Sequence, residues 1–158
     1  KDLAEKLGFI YEDFAKVLSE SDIITLHVPY SKETHHLINE NNIKSIKSGA
    51  LLINTARGEL IETGALLSAL KNGGLRGAGL DELEGERELH SEFAFISRPY
   101  STTASLKTII QDHVLIDLPN VIITPHIAFF SKEAKEEILK VTAQNILALA
   151  ENKPQNLL

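Results

Sequence analysis

The run Leu51-Leu52-Ile53-Asn54-Thr55-Ala56-Arg57-Gly58 constrains the fold more than any other stretch of the chain. Three apolar residues with no polar neighbour to alternate with predict a strand buried on both faces, as in a parallel sheet. The strand stops in a small polar turn that carries one arginine. Open α/β sheets bind ligands beyond the carboxyl ends of their strands. An arginine at that edge can aim a planar fork at a carboxylate or phosphate. Gly58 predicts a close backbone approach to a ligand or a sharp turn into the next helix. On this run alone, Arg57 serves equally well as a loop residue paired with a surface acid.

The flanking segments alternate between strand and helix patterns. Tyr11 to Ser19 has helical spacing at Phe14, Val17 and Leu18. Residues 23–29 read as a short strand that includes His27 and is stopped by Pro29. Residues 37–47 predict a helix with Asn39 as its N-cap and Ile43 and Ile46 on one face. Thr63 is the expected cap of a helix over 64–71, with Leu66, Leu67 and Leu70 inward and Asn72-Gly73-Gly74 closing it. Residues 77–81 and 121–126 read as two further strands, ending on Asp81 and His126. A last helix runs from a Ser131 cap to about Glu151. Its polar stripe is narrow, so it should be covered on more than one side, by this chain or in a homodimer or domain contact. This order predicts βαβ units around a parallel sheet. Residues 86–118 show no strong periodicity. An ordered insertion near the site and a plain surface excursion both remain open there.

Composition narrows the function classes. The 158 residues suffice for one domain with a core. A formal net charge of −6 argues against nucleic acid or an anionic membrane as the main partner. The absence of cysteine excludes a disulfide, a thiolate zinc site and a thiol nucleophile, and fits the cytoplasm. The scattered histidines have no ligand spacing, so no metal site is expected. Position 1 is lysine and no methionine occurs anywhere, so the chain is expected to be processed, trimmed or cut.

Strand ends at one edge of a parallel sheet converge in space, here Pro29, Arg57, Asp81 and His126. Glu86 follows Asp81 on the same loop. A guanidinium, an imidazole and a carboxylate at one edge make a workable acid–base site. Arg57 can hold a carboxylate and polarise an adjacent carbonyl, His126 can move a proton, and Glu86 can raise the histidine pKa through the other ring nitrogen. Each has a plainer reading. His126 can be a satisfied histidine ending a strand, and Glu86 can belong to an acidic surface run with Glu82, Glu84 and Glu88.

Four stretches then carry a specific likeness. Ser21-Asp-Ile-Ile-Thr-Leu-His-Val-Pro29 with Glu33-Thr34, Gly49 to Gly58, Gly77-Ala-Gly-Leu-Asp81 through Glu84 and Glu86, and Pro119 to Ala128 come in one order. In these the chain resembles the D-isomer-specific 2-hydroxyacid dehydrogenases, from about Ser21 onward. The resemblance implies a Rossmann-type parallel sheet flanked by helices. It also implies NAD-dependent interconversion of a small 2-oxo acid and a D-2-hydroxy acid. Arg57, Glu86 and His126 would be catalytic. Val28, Pro29, Thr34, Thr55, Ala56, Arg57 and Asp81 would line the cofactor. Phe129-Phe130 and the long segment after Glu86 look most like the D-lactate dehydrogenase branch. A non-catalytic, NAD-sensing corepressor related to the same family is the alternative, because it can retain the same three residues.

The chain departs from the family in lacking a Gly-x-Gly-x-x-Gly fingerprint. The expectation is therefore an incomplete domain, with the first βαβ unit preceding Lys1 and the substrate domain elsewhere in the same enzyme. Residues 1–151 would be the C-terminal portion of a dinucleotide-binding domain, with an insertion at about 87–117, and 152–158 a tail. The residue that separates NAD from NADP would lie in the absent unit, which leaves NADP open. The isolated chain should bind dinucleotide poorly and turn nothing over.

Overall fold

Four short apolar runs pair into one parallel sheet in the order β1-β2-β3-β4. They are β1 (Ile23–Leu26), β2 (Ala50–Asn54), β3 (Leu75–Leu80) and β4 (Val121–Ile123). The computed structural model describes residues 2–86 and 103–156. Its helices are α1 (Asp2–Leu7), α2 (Phe14–Glu20), α3 (Thr63–Lys71), α4 (Thr103–Ile116) and α5 (Lys132–Ala150). The chain divides into two compact units, Lys1–Pro125 and His126–Leu158. The first holds the sheet and α1 to α4, and the second holds α5.

In the first unit the core lies against one face of the sheet. Ile24, Leu26, Ala50, Leu52, Leu75 and Leu80 meet Leu66 and Leu70 of α3 and Leu115 of α4. The other face is less covered: Leu51 and Ile53 are half-buried, and Ile23 and Ile122 are exposed. The two-sided burial expected of β2 is thus complete on one face only, and its burial alternates along the strand. Register aligns Leu26 with Asn54, Asn54 with Leu80, and Leu80 with Ile123. The next residues, His27, Thr55, Asp81 and Thr124, form the carboxyl rim.

Several element boundaries differ from the pattern-based expectation. β1 stops at Leu26, so His27 lies beyond it, where its Nε2 sits 2.8 Å from Thr25 Oγ1. β4 likewise stops at Ile123, so His126 ends no strand. The helix expected over 37–47 shrinks to a single 3-10 turn, Ile43–Ser45. Asparagine side chains account for this, because they compete for the backbone. Asn42 Oδ1 accepts from the Asn39 N–H (2.9 Å), and Asn42 Nδ2 donates to the Leu37 carbonyl (2.8 Å). Ile38 instead makes a parallel bridge with Ile61, at the centre of a short pairing that also ties the His36 N–H to the Glu59 carbonyl.

The largest correction concerns 103–116, expected to be irregular and found as the helix α4. Its buried positions include Asp112 and Leu115, three apart on one face. A buried acid in the middle of that face breaks the apolar periodicity on which the expectation rested. The remainder of the expected insertion, 87–102, lies outside the described residues.

In the second unit, the Ser131 hydroxyl accepts from the Ala134 N–H at 3.1 Å and caps α5 as the sequence predicts. No residue of α5 is buried.

Candidate active site

The rim is shaped first by Asn54, the last residue of β2 and almost fully buried. Its Oδ1 accepts from the Ala56 N–H (3.1 Å), and its Nδ2 donates to the Arg57 carbonyl (2.7 Å). One side-chain amide therefore folds the 54–57 turn and sets the backbone of Arg57. The Asn54 carbonyl also receives the Asp81 N–H at 2.9 Å, which joins this turn to the end of β3.

Gly58 brings the two loops together. A Cβ built there would lie 2.2 Å from the Leu83 carbonyl carbon and 2.4 Å from the Glu84 nitrogen. Only glycine lets the turn after Arg57 lie this close to the loop after β3. The close approach allowed for in the sequence is thus to backbone and not to a ligand. Arg57 Nη1 then donates to Glu82 Oε2 at 3.1 Å and to the Ala56 carbonyl at 2.8 Å. The arginine side chain is 48% exposed and Glu82 only 11%. A sheltered carboxylate thus holds one nitrogen of a guanidinium whose body faces solvent. Such a pair orients the arginine more than it stabilises the fold, because exposed ion pairs contribute under about 1 kcal/mol.

Asp81 is buried at the start of the next loop and accepts from the Thr124 hydroxyl, which ties the end of β3 to the segment after β4. Asp81, Glu82 and Glu86 line a hollow of about 150 Å³ with Ile123, Thr124 and Pro125. Val28 and Pro29 stand exposed just past β1, and Thr55 is exposed past β2, with Ala56 half-buried beside it. Thr34 closes the 29–34 loop by donating to the Pro29 carbonyl (2.8 Å) and accepting from the Ser31 N–H (2.7 Å). His126 opens the second unit, one residue beyond Pro125, with a backbone φ of 54°. That left-handed conformation costs a non-glycine residue roughly 1–2 kcal/mol, and such strain concentrates at functional positions.

Glu84 does not belong to a solvated acidic run. Its Oε2 accepts from both the N–H (3.0 Å) and the hydroxyl (2.7 Å) of Thr63, and its Oε1 pairs with His36 Nε2 at 2.6 Å. Thr63, expected to cap α3, is its first residue, and Glu84 satisfies its N–H from outside. Burial raises the Glu84 pKa, but the Thr63 and His36 contacts outweigh it and hold the carboxyl below its ordinary range. Behind it, Asp112 accepts from the Gly85 N–H at 2.9 Å. Burial pushes the Asp112 carboxyl up to about 7, and the neighbouring Glu84 charge adds to this. Pattern reading overlooks Asn54, Glu82, His36 and Asp112. Only Asn54 carries a sequence signal, as a lone amide closing an apolar strand.

Apolar Val28, Pro29 and Ala56 beside polar Thr55 and Asp81 suit a flat heteroaromatic ring bearing a carboxamide. The residues present therefore fit the nicotinamide end of a dinucleotide.

The model of the D-isomer specific 2-hydroxyacid dehydrogenase NAD binding domain matches residues 1–128. A glyoxylate reductase of Thermococcus litoralis is 40% identical over 154 residues, covering 97% of this chain and 40% of that protein. A D-specific alpha-keto acid dehydrogenase of Enterococcus faecium is 43% identical over 138 residues, covering 87% of this chain and 40% of that protein. The crystal structure of D-lactate dehydrogenase from Aquifex aeolicus complexed with NAD and lactic acid superposes with a TM-score of 0.78 at 40% identity. It is covered over 44% of its length by 97% of this chain. The chain thus spans about 40% of the length of the curated relatives it matches. With its parallel sheet, its rim and a family model matched from end to end of the first unit, the chain belongs to the NAD-binding domain family of the D-isomer-specific 2-hydroxyacid dehydrogenases.

Proposed function

We propose that this chain supplies the nicotinamide-side rim of a cytoplasmic, NAD-dependent oxidoreductase that interconverts a small 2-oxo acid and a D-2-hydroxy acid. The observation that carries the reading is Arg57. It sits at the carboxyl end of a central parallel strand, set by Asn54 and oriented by Glu82, in a chain of this family. Bound NADH supplies the hydride. Arg57 holds the substrate carboxylate with its remaining donors and stabilises the charge that develops on the carbonyl oxygen. His126 gives its proton to that oxygen in the reductive direction, and Glu86 orients the imidazole. Val28, Pro29, Thr34, Thr55, Ala56 and Asp81 receive the cofactor.

The substrate reading is pyruvate and D-lactate. Phe129 and Phe130, three and four residues past His126, suit a small apolar tail, and their rings meet edge to face with centroids 5.8 Å apart. The relatives reported above bear the names glyoxylate reductase, D-specific alpha-keto acid dehydrogenase and D-lactate dehydrogenase, which share the 2-oxo acid chemistry and not the tail. None of them bears the name of a corepressor.

The test is NADH oxidation by the product of the complete reading frame against a panel of 2-oxo acids, pyruvate and glyoxylate included. His126→Gln should lower kcat by about 10²–10⁴-fold while leaving NADH affinity unchanged. Arg57→Gln should raise KM for the oxo acid and lower kcat. No turnover with any 2-oxo acid would sink the reading.

A further inference from the structure

A cluster of titratable groups lies behind the rim, on residues to which the reaction above gives no role. Asp112, fully buried on α4, points its Oδ2 at the Gly85 N–H (2.9 Å) and its Oδ1 at the Thr63 hydroxyl (3.4 Å). Thr63 Oγ1 is meanwhile 2.7 Å from Glu84 Oε2. A hydroxyl has one proton, so it can donate to one carboxylate and not to both. The shorter contact takes it, and Glu84 holds its charge against His36 Nε2 at 2.6 Å. Asp112 is then left facing the lone pairs of Thr63 Oγ1. Among the described residues, a charged Asp112 would have the Gly85 N–H alone as a close donor and would set two anions about one hydroxyl. A neutral Asp112 has a proton to place on Thr63 Oγ1, and the four groups close into one directed chain.

We propose that Asp112 is a positioning residue that, as a neutral acid, latches the 82–86 loop against α3 and α4 and releases it on ionisation. The latch acts through two grips on that loop. Asp112 holds the Gly85 N–H directly, and Thr63, in the orientation Asp112 imposes, holds Glu84. Gly85 is seated against the carboxyl so closely that a Cβ there would lie 2.7 Å from Asp112 Oδ2. The same loop carries Glu82, which orients Arg57, and Glu86. In this respect the inference rests on the function proposed above, although the latch itself needs no ligand. Burial and the Glu84 charge both oppose ionisation of Asp112, while the Gly85 N–H and His113 of the same helix favour it. His36 pairs with Glu84.

The experiment uses the chain with no ligand added. Carbon-detected titration of the Asp112 carboxyl should give a midpoint near 7, far above the ordinary aspartate value of about 4. Protection of the Gly85 amide against hydrogen exchange, corrected for intrinsic pH dependence, should fall about tenfold between about pH 6 and about pH 8. Asp112→Asn presents the same carbonyl to Gly85 and an N–H to Thr63, so it should keep that protection at both pH values. Asp112→Ala should lose it at both. A midpoint near 4, or Gly85 protection that ignores the titration, overturns the proposal. So does an Asp112→Asn chain unprotected at pH 6, and the wild-type titration decides if either variant fails to fold. Turnover by the product of the complete reading frame separates the two claims. With the latch intact and the function right, wild-type kcat should fall below that of the Asp112→Asn enzyme as pH rises through about 7, beyond the loss that both share through the His126 proton. A latch seen by exchange in a protein without dehydrogenase activity would leave the latch standing and remove the function.

Discussion

Asn54 uses both ends of its amide inside one turn, so truncating it removes a donor and an acceptor at once. Asn54→Ala would leave the Ala56 N–H and the Arg57 carbonyl without that partner, in a position that admits little water. Each such loss costs about 1–3 kcal/mol. The expected outcome is an unfolding free energy lowered by about 2–6 kcal/mol, read as a lower denaturation midpoint with the slope unchanged. Gly58→Ala should be as damaging for a different reason, since its methyl would drive into the Leu83–Glu84 backbone. Overpacking of this kind costs about 1–3 kcal/mol, and here it also pushes Arg57 away from Glu82. Chemical denaturation of the two variants checks both statements, and a Gly58→Ala chain of wild-type stability would contradict the close approach. Arg57, Asp81 and the strand ends are legible in the sequence because parallel strands place their carboxyl ends on one rim. Glu82 and Glu84 are not, because spacing alone cannot tell a sheltered acid from a solvated one.

At the scale of elements, β1 to β4, α3 and α5 follow from apolar runs, caps and glycine stops. α4 does not, because Asp112 stands where periodicity demands an apolar residue. The turn region 36–43 does not either, because asparagine side chains outcompete the helix. The same Asp112 gives stability a pH dependence of unusual sign. Its native carboxyl titrates near 7 and its unfolded one near 3.8, so the native state keeps a proton that the unfolded state has lost. The contribution is therefore fully present below about pH 4 and is lost as pH rises through about 7. A shift of this size corresponds to about 2–4 kcal/mol, as an order of magnitude for a buried group. Asp112→Asn should match wild type near pH 4 and exceed it above pH 7 when both are unfolded by denaturant. Curves that stay parallel across that range would contradict the neutral acid. Glu84 works in the opposite direction, since its lowered pKa supports the fold above its unfolded value and fails as pH falls.

Over the whole molecule, the first unit has a buried core and the second unit has no buried residue in its long helix. Ile138, Leu139, Ile146, Leu147 and Leu149 of α5 are all more than half exposed. Exposed apolar area on this scale marks contact surfaces. The chain should therefore enhance the fluorescence of a hydrophobic dye, and Leu139→Glu with Leu147→Glu should reduce that enhancement; a chain without enhancement would speak against an open α5 face. The 158 residues hold no Gly-x-Gly-x-x-Gly run to cradle a pyrophosphate, so a fluorescence titration of this chain with NADH should show weak binding. Among the described residues no helix is long and apolar enough to cross a membrane. In the proposed reaction a guanidinium and an imidazole act on one substrate molecule. Groups that work as a unit are non-additive when removed together. The most direct measurement is therefore a double-mutant cycle in kcat/KM for Arg57→Gln and His126→Gln, made in the product of the complete reading frame with NADH and pyruvate. If both groups act on one substrate, the double variant should lose little more than the worse single variant, whereas losses that simply multiply would show that they act apart.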